Sequence, residues 1–355
     1  MTHVEYNPKD FDIMIGLDVD FKKFAINVKN HSTMNRLLTM PAKPEAFGGY
    51  IRRTFAGQRV LCAYEAGPTG FGLHDYLTSQ NIPCLMVSPL SIPKASNARV
   101  KNNRIDAQKI AQHLRTGDLK PIRVPDEPYR QLRHLVRTRE DYARQLRATK
   151  QRIKSLLLAQ SLHALMQEPE QHWSNRYISQ LKELPCVGAV RYRLDMLLED
   201  LAYHRKQSLR ILKELKDYCE QAPDIQKNIG YLRSIPGIGF VIASTVLGNI
   251  GDPVKLRNPR ELAGFIGLVP CEYSTGDKVI KGSITHLGDA SLRSLLIQAA
   301  WVTIRHDQRL ASVYHRIRNR HPAGVGARKA IVAVARKLTL IIYRVLKDQR
   351  DYIRY

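Results

Sequence analysis

Three acids stand where strands and helices can bring them together. Asp18 follows the apolar run IMIGL, and Glu65 ends the run RVLCAYE just before Ala66-Gly67-Pro68. Asp106 lies near the start of RIDAQKIAQHLRTG, residues 104–117. Each of them also reads as an ordinary helix cap or strand-end surface acid. Acids at separate strand ends and helix starts can converge at one edge of an α/β sheet. Converged carboxylates repel one another unless a cation lies between them. Mg²⁺, or Mn²⁺ in its place, takes a few carboxylates together with water and phosphate oxygens. Two such ions about 4 Å apart clamp the attacking and leaving oxygens of a phosphoryl transfer. The chemistry expected of this set is cleavage of a nucleic-acid strand.

The elements that must position these acids show in the hydropathy pattern. Residues 11–20 form a β-rich apolar run, and FKKFAINV (21–28) can return as its hairpin partner. The runs at 59–67 and 82–89 read as further strands, with a helix between them at 70–80 spaced by Leu73 and Leu77. Residues 104–117 read as a helix with Ile105, Ile110, Ala111 and Leu114 on one side and Gly117 ending it. Strands alternating with helices imply an α/β layer. From about Pro128 the pattern becomes helical. Leu132, Leu135, Tyr142, Leu146, Ile153 and Leu157 recur at roughly 3.5-residue spacing, a long amphipathic helix. A second long helix spans about 189–221, and the two can pair as a hairpin or dimerise. SIPGIG, between two apolar helical stretches, resembles a helix-hairpin-helix. There Gly237 and Gly239 let backbone N–H groups approach a phosphate, or they serve only a tight interhelical turn. Residues 272–301 read as a Gly-rich loop that leads into a helix through Leu292, Leu295, Leu296 and Ala299.

The charge points to the partner. The chain has 355 residues, with 56 Lys and Arg against 32 Asp and Glu, a net charge of +24. That excess favours a polyanion, most often nucleic acid. It is concentrated. Residues 130–154 hold nine basic residues against Glu140 and Asp141, and residues 308–347 hold ten with no acid. A surface charged only for solubility would mix the signs. Arg133, Arg137, Arg144, Arg147 and Lys150 are therefore candidate phosphate contacts. Lys281, in the loop, and Arg293, at the start of the next helix, are two more. No apolar run is long enough to span a membrane, and no secretory signal opens the chain. The five scattered cysteines form no C-x-x-C and read as reduced thiols, without a structural zinc site. A cytoplasmic, nucleoid-associated protein is expected.

Taken together, these segments resemble the IS110-family transposases over nearly the whole chain. GLDVDFKKF is similar to the family's first acidic motif and places Asp18. YEAGPTGFGLHDYL is similar to the second and places Glu65. VKNNRIDAQKIA is similar to the third and places Asp106 as its last acid. SIPGIG, FIGLVP, EYSTGDK and LGDASLRSLLIQAAW follow in the family's order. The third motif departs from the pattern. Where the family has an acid three residues before Asp106, this chain has Asn103, which offers a neutral carbonyl oxygen and one charge fewer. Asp20, two residues from Asp18, is the residue placed to compensate in part.

The resemblance implies an RNase H-like (RuvC-like) α/β domain over 1–128, a basic helical or coiled-coil region over 129–225, and a mainly helical C-terminal transposase domain over 226–355. It implies a catalytic and metal-binding set of Asp18, Glu65, Asn103 and Asp106. It also implies a serine that attacks DNA and becomes covalently linked to it. Ser274 is the candidate, with Thr275 beside it. His286 is a further group in the same loop, for proton transfer or phosphate contact. Family membership further implies a structured guide (bridge) RNA, donor and target DNA, a dimeric or tetrameric assembly and no membrane. Two alternatives use the same residues. One is a metal-dependent RuvC-like nuclease or junction resolvase with Ser274 structural. The other is a nucleic-acid-binding protein whose acidic site is impaired by Asn103.

Overall fold

A computed structural model describes residues 6–89, 102–166, 172–275, 278–285, 287–322 and 324–353. The chain divides into two compact units, Met1–Val124 and Pro125–Tyr355. The second unit includes both the 129–225 and the 226–355 stretches.

The first unit is built on one six-stranded mixed sheet. Its strands are β1 (Ile13–Val19), β2 (Lys23–Asn30), β3 (Asn35–Pro41), β4 (Val60–Glu65), β5 (Cys84–Val87) and β6 (Pro121–Ile122). Their order is β3-β2-β1-β4-β5-β6. β1 and β2 form the expected antiparallel hairpin, whereas β1, β4 and β5 run parallel. Helices α1 (Pro44–Thr54), α2 (Gly72–Ser79) and α3 (Asn103–Thr116) complete the unit. The strands alternate faces, as the pleat requires. Ile13, Ile15 and Leu17 of β1 face one core together with Val60, Cys62 and Tyr64 of β4. Met14, Leu61 and Ala63 face another, shared with Ile110 and Leu114 of α3.

α3 begins where the Asn102 side chain accepts a hydrogen bond from Arg104 N at 3.0 Å. It ends at Gly117, which is left-handed at φ +79°. Its buried side is Ala107, Ile110, Ala111 and Leu114. Ile105 does not belong to that side and is 36% exposed, because its helical angle carries it away from the sheet. β3, with exposed residues along much of its length, is an edge strand without an apolar signature, as is common at sheet edges.

The second unit is helical apart from one hairpin. α4 (Glu127–Ala159) and α6 (Gly188–Gln221) are the two long helices, with α5 (Asn175–Glu183) between them. Tyr129, Leu132 and Val136 of α4 share a core with Leu215 and Cys219 of α6. Ile153, Leu156 and Leu157 share a separate core with Leu194, Leu197, Leu198 and Leu201. Early α4 thus meets late α6 and late α4 meets early α6, so the two form an antiparallel helical hairpin. The remaining elements are α7 (Pro223–Arg233), α8 (Phe240–Ile250), α9 (Pro259–Ile266), β7 (Pro270–Thr275), β8 (Lys278–Ile284), α10 (Ala290–His306), α11 (Gln308–Arg318) and α12 (Val325–Asp348). α12 runs through the main core by Ile331, Val334, Leu338, Ile342 and Leu346. The stretch from 272, expected to begin as a Gly-rich loop, instead holds the antiparallel strands β7 and β8, with Ser274 opposite Val279. Among the described residues no helix is long and apolar enough to cross a membrane. All five cysteines are unpaired, and burial pushes the Cys62 and Cys84 thiols well up, which keeps them unreactive.

Candidate functional site

The acids of the first unit are positioned by strand register and by one close helix contact. β1 and β4 pair from Ile13 with Val60 up to Leu17 with Tyr64. The next step of the same register sets Asp18 beside Glu65. Asp18 is two residues beyond Gly16, and Glu65 two beyond Ala63, so both side chains leave the sheet on the face that carries α3. Neighbouring strands lie about 4.8 Å apart, so the two residues occupy neighbouring backbone positions at the carboxyl ends of adjacent parallel strands.

α3 adds the third member. Gly16 lies directly under the helix backbone. A Cβ there would stand 2.9 Å from Ala111 Cα, and closer still to Ala111 N and the Ala107 carbonyl oxygen. Met14, two residues earlier, shares its cluster with Ile110 and Leu114. The helix therefore runs antiparallel to β1, and its first turn comes to the strand end that bears Asp18. Asn103 lies one turn before Ala107 and Asp106 one turn before Ile110, so both project from that first turn on the sheet side. The backbone thus places the expected positions Asp18, Glu65, Asn103 and Asp106 toward the same end of the sheet. Asp20 is not part of that set. β1 ends at Val19, and Asp20 Oδ1 instead accepts from Lys22 N at 3.3 Å within the β1–β2 turn.

The donor types at this edge fit a hard divalent cation: carboxylate oxygens and one amide oxygen. Asp106 carries a counter-ion of its own, Lys109 Nζ at 3.4 Å. Among the described residues no three His, Cys, Asp or Glu side chains stand close enough to share one ion.

In the second unit, Ser274 lies in β7, paired with Val279 of β8. Gly276 and His286 lie outside the described residues, as do the side chains of Ser274, Thr275 and Lys281. The two ends of the hairpin are tied to the fold by Arg293, which is only 9% exposed. Its Nη1 donates to the Ile266 carbonyl at 2.9 Å, just before β7, and to the Leu287 carbonyl at 3.4 Å, just after β8. Gly267 stands at the same point in a left-handed turn at φ +77°, where any side chain would strike the Leu287 carbonyl. Arg293 is therefore a clamp on the hairpin, not a phosphate contact. A second tie was not foreseen from sequence. Ser291 Oγ, at the start of α10, donates to Glu140 Oε1 of α4 at 2.8 Å. Burial raises the Glu140 carboxyl above its ordinary value. The bond from Ser291 opposes that rise, and the charge of Asp289 adds to it. The two residues are 151 apart in sequence, and no local motif announces the pair.

The candidate phosphate contacts divide by what their heads touch. Arg133 Nε and Nη2 donate to the carbonyls of Gly248 and Asn249 at 2.8 and 2.9 Å, closing the C-terminal end of α8. That is a structural cap, and burial lowers the affinity of its guanidinium for the proton. Arg137, Arg144 and Arg147 are exposed, and Arg144 pairs with Asp141 at 3.3 Å. Lys150 is partly buried, with its ammonium 5.3 Å from the Trp173 ring centroid. Gly237, at φ +86°, turns the chain tightly between α7 and α8 against the Ala299 carbonyl of α10. Gly239 precedes α8, is exposed, and has open space where a side chain would be.

A mixed sheet with acids at the carboxyl ends of two central parallel strands and in the first turn of the helix across them defines an RNase H-like nucleic-acid-processing domain. Comparison with known proteins narrows that class. Residues 15–161 match the model for the DEDD domain of IS110 elements, described as "Transposase". Residues 230–315 match the model described as "Transposase IS116/IS110/IS902 family". The putative transposase y4qE of Sinorhizobium fredii is 32% identical over 304 residues, covering 84% of this chain and 73% of that protein. The transposase for insertion sequence element IS1111A of Coxiella burnetii is 26% identical over 306 residues, 84% of this chain and 81% of that protein. The pilin gene-inverting protein of Moraxella bovis is 26% identical over 193 residues, 54% of this chain and 58% of that protein. The chain belongs to the IS110 family of insertion-sequence transposases. It is a DNA transposase, its substrate is DNA, and its DEDD domain is of a kind that works with divalent metal ions.

Proposed function

We propose that this transposase cuts and rejoins DNA in two cooperating steps, with a Mg²⁺-dependent acidic edge and a serine ester. Asp18 and Glu65 would hold the metal, joined by Asp106 and by the amide oxygen of Asn103. When bound, Mg²⁺ supplies positive charge against the phosphate oxygens on which charge develops. Ser274 Oγ forms a bond to the scissile phosphorus as the bond from phosphorus to the leaving sugar oxygen breaks. The serine proton passes to a base, and the leaving oxygen takes up a proton. The phosphoserine ester conserves the bond energy, so the reverse attack by a new sugar hydroxyl rejoins the strands and frees the serine.

The acids and the serine belong to different units of the chain. A dimer or tetramer fits the reaction, because recombination joins two duplexes. A structured guide RNA would pair with donor and target, leaving the protein to grip backbone shape. The observation that carries the reading is the register that sets Asp18 beside Glu65 under the first turn of α3. The test is incubation of the full chain with Mg²⁺, guide RNA, donor and target DNA. A DNA adduct that maps to Ser274 and is absent from Ser274→Ala, together with joined products, is the expected result. Nicked DNA without an adduct would leave the acidic edge as a nuclease and refute the serine step.

A further inference from the structure

The helical hairpin is not packed along its whole length. On α4 the buried apolar residues stop at Val136 and resume at Ile153, and on α6 they stop at Leu201 and resume at Leu215. Between the two cores lies a groove of about 500 Å³. α4 lines it with Arg139, Leu146, Arg147 and Lys150, residues that recur along one helical face. α6 answers with Arg205, Ser208, Leu209 and Leu212, and Val241 of α8 borders it. The lining holds four cations and no acid.

A stretch left open within a hairpin this long needs a physical reason. Leucines at the same positions would have continued the core. The chain instead places like charges near one another, at a cost. Arg139 loses proton affinity through burial first and then through Arg147, and Lys150 through burial first and then through Arg205 and Lys154. Glu140 offsets Arg139 in part, but its carboxylate is engaged by Ser291. Two of the four heads have partners that position them. Arg205 donates to the Trp173 carbonyl, and Lys150 stands over the Trp173 ring. The Ser208 hydroxyl is buried with no hydrogen-bond partner among the described residues. Leu209 is 70% exposed at the rim. Ordered cations, an unsatisfied hydroxyl and apolar walls together match a ligand with anionic oxygens spaced along an apolar body.

We propose that this mid-hairpin groove is a binding track for a single-stranded segment of nucleic acid. Its phosphates meet Arg139, Arg147, Lys150 and Arg205, Ser208 donates to a phosphate oxygen, and bases lie against Leu146, Leu209 and Leu212. α4 rises about 1.5 Å per residue, so the track from Arg139 to Lys150 is roughly 16 Å long, enough for a few nucleotides. Duplex does not present its base faces to such walls, and single strand does. The track depends on neither the serine step nor the metal.

The test uses the full-length protein and labelled single-stranded oligonucleotides, one DNA and one RNA, with Kd measured across salt concentration. Four neutralised phosphates give a slope of log K against log salt near −2.8 from these groups, about 0.7 per contact. Arg139→Gln with Arg147→Ala is expected to flatten the slope by about 1.4 and weaken binding by roughly tenfold or more at 0.1 M salt. Leu209→Glu adds an anion at the exposed rim without removing a cation and is expected to weaken binding while the melting temperature holds. Lys213→Ala with Lys216→Ala, exposed on α6 outside the groove, is expected to change the slope by less than half as much. A larger loss in the RNA arm assigns the track to the guide, and a larger loss in the DNA arm assigns it to a displaced DNA strand. Equal slope changes for the groove pair and the lysine pair, or unchanged binding in Leu209→Glu, would overturn the track. In that event strand cleavage by the acidic edge would be unaffected.

Discussion

Gly16→Ala tests the helix contact on which the acidic edge depends. The added methyl meets backbone on three sides: Ala111 N, the Ala107 carbonyl oxygen, and Ala111 Cα at 2.9 Å. None of these is a flexible side-chain end that can swing aside. Ordinary contact begins at 3.4 Å, so α3 must lift from β1 by at least the difference, and by more over the nitrogen and oxygen. Overpacking of this kind costs about 1–3 kcal/mol, and the backbone neighbours place it at the upper end. For a unit of this size each kcal/mol lowers the melting temperature by roughly 4 °C. The lift also carries the first turn, with Asn103 and Asp106, away from Asp18 and Glu65. Displacement of about 1 Å at a reacting centre can cost on the order of 100-fold in rate. Gly49→Ala is the control. Gly49 lies inside α1 with nothing within 4 Å of the new methyl, so it should gain up to about 1 kcal/mol from helix propensity. The assays are thermal unfolding and metal-dependent cleavage of a DNA substrate, run on both variants. A Gly16→Ala protein as stable and as active as the parent would refute the close-contact account of the site.

Asn103→Asp adds a carboxylate to the first turn of α3. It is expected to raise Mg²⁺-dependent cleavage and lower the Mg²⁺ concentration needed for half-maximal rate; no gain in a side-by-side titration would exclude position 103 from the metal site. Glu140→Gln keeps an acceptor for Ser291 and removes a carboxylate whose folded pKa is raised. A raised carboxyl favours the protonated folded chain, so the parent's relative stability is full below about pH 4.5 and is lost as pH rises through the folded value. The variant should therefore melt higher than the parent at pH 7 and equal to it below that range, as thermal scans across pH will show. Arg293→Ala removes both carbonyl contacts of the hairpin clamp and should cost about 2–4 kcal/mol, from charged hydrogen bonds worth roughly 1.5–3 kcal/mol each. Denaturant unfolding measures that loss. Arg133→Ala should likewise destabilise by about 2–4 kcal/mol through the exposed end of α8 while leaving the salt slope of DNA binding unchanged.

Much of the first unit was legible in the chain because its elements are local. The runs before Asp18 and Glu65 are apolar on both faces, as buried parallel strands must be. Gly117 ends α3 as its sequence position announces, while the Asn102 cap at the other end came from the structure. The long helices showed in their spacing, and the positive charge marked a polyanion. Other features were not legible. Ser, Thr, Gly and Lys between residues 272 and 283 look like a loop, and only pairing with a partner strand makes them β7 and β8.

What the chain by itself determined is which residue types stand in which pattern: the acids Asp18, Glu65 and Asp106 at strand ends and a helix start, and an excess of cations over acids. Tertiary structure decided where each of them stands. Register, a property of two strands and not of one, puts Asp18 beside Glu65. A missing side chain at Gly16 lets α3 close on them. The same arginine type, met in similar sequence surroundings, caps a helix at 133, clamps a hairpin at 293 and lines an open groove at 147. A guanidinium bonds whichever acceptor the fold brings within about 3 Å, and the sequence position says nothing about which carbonyls those will be.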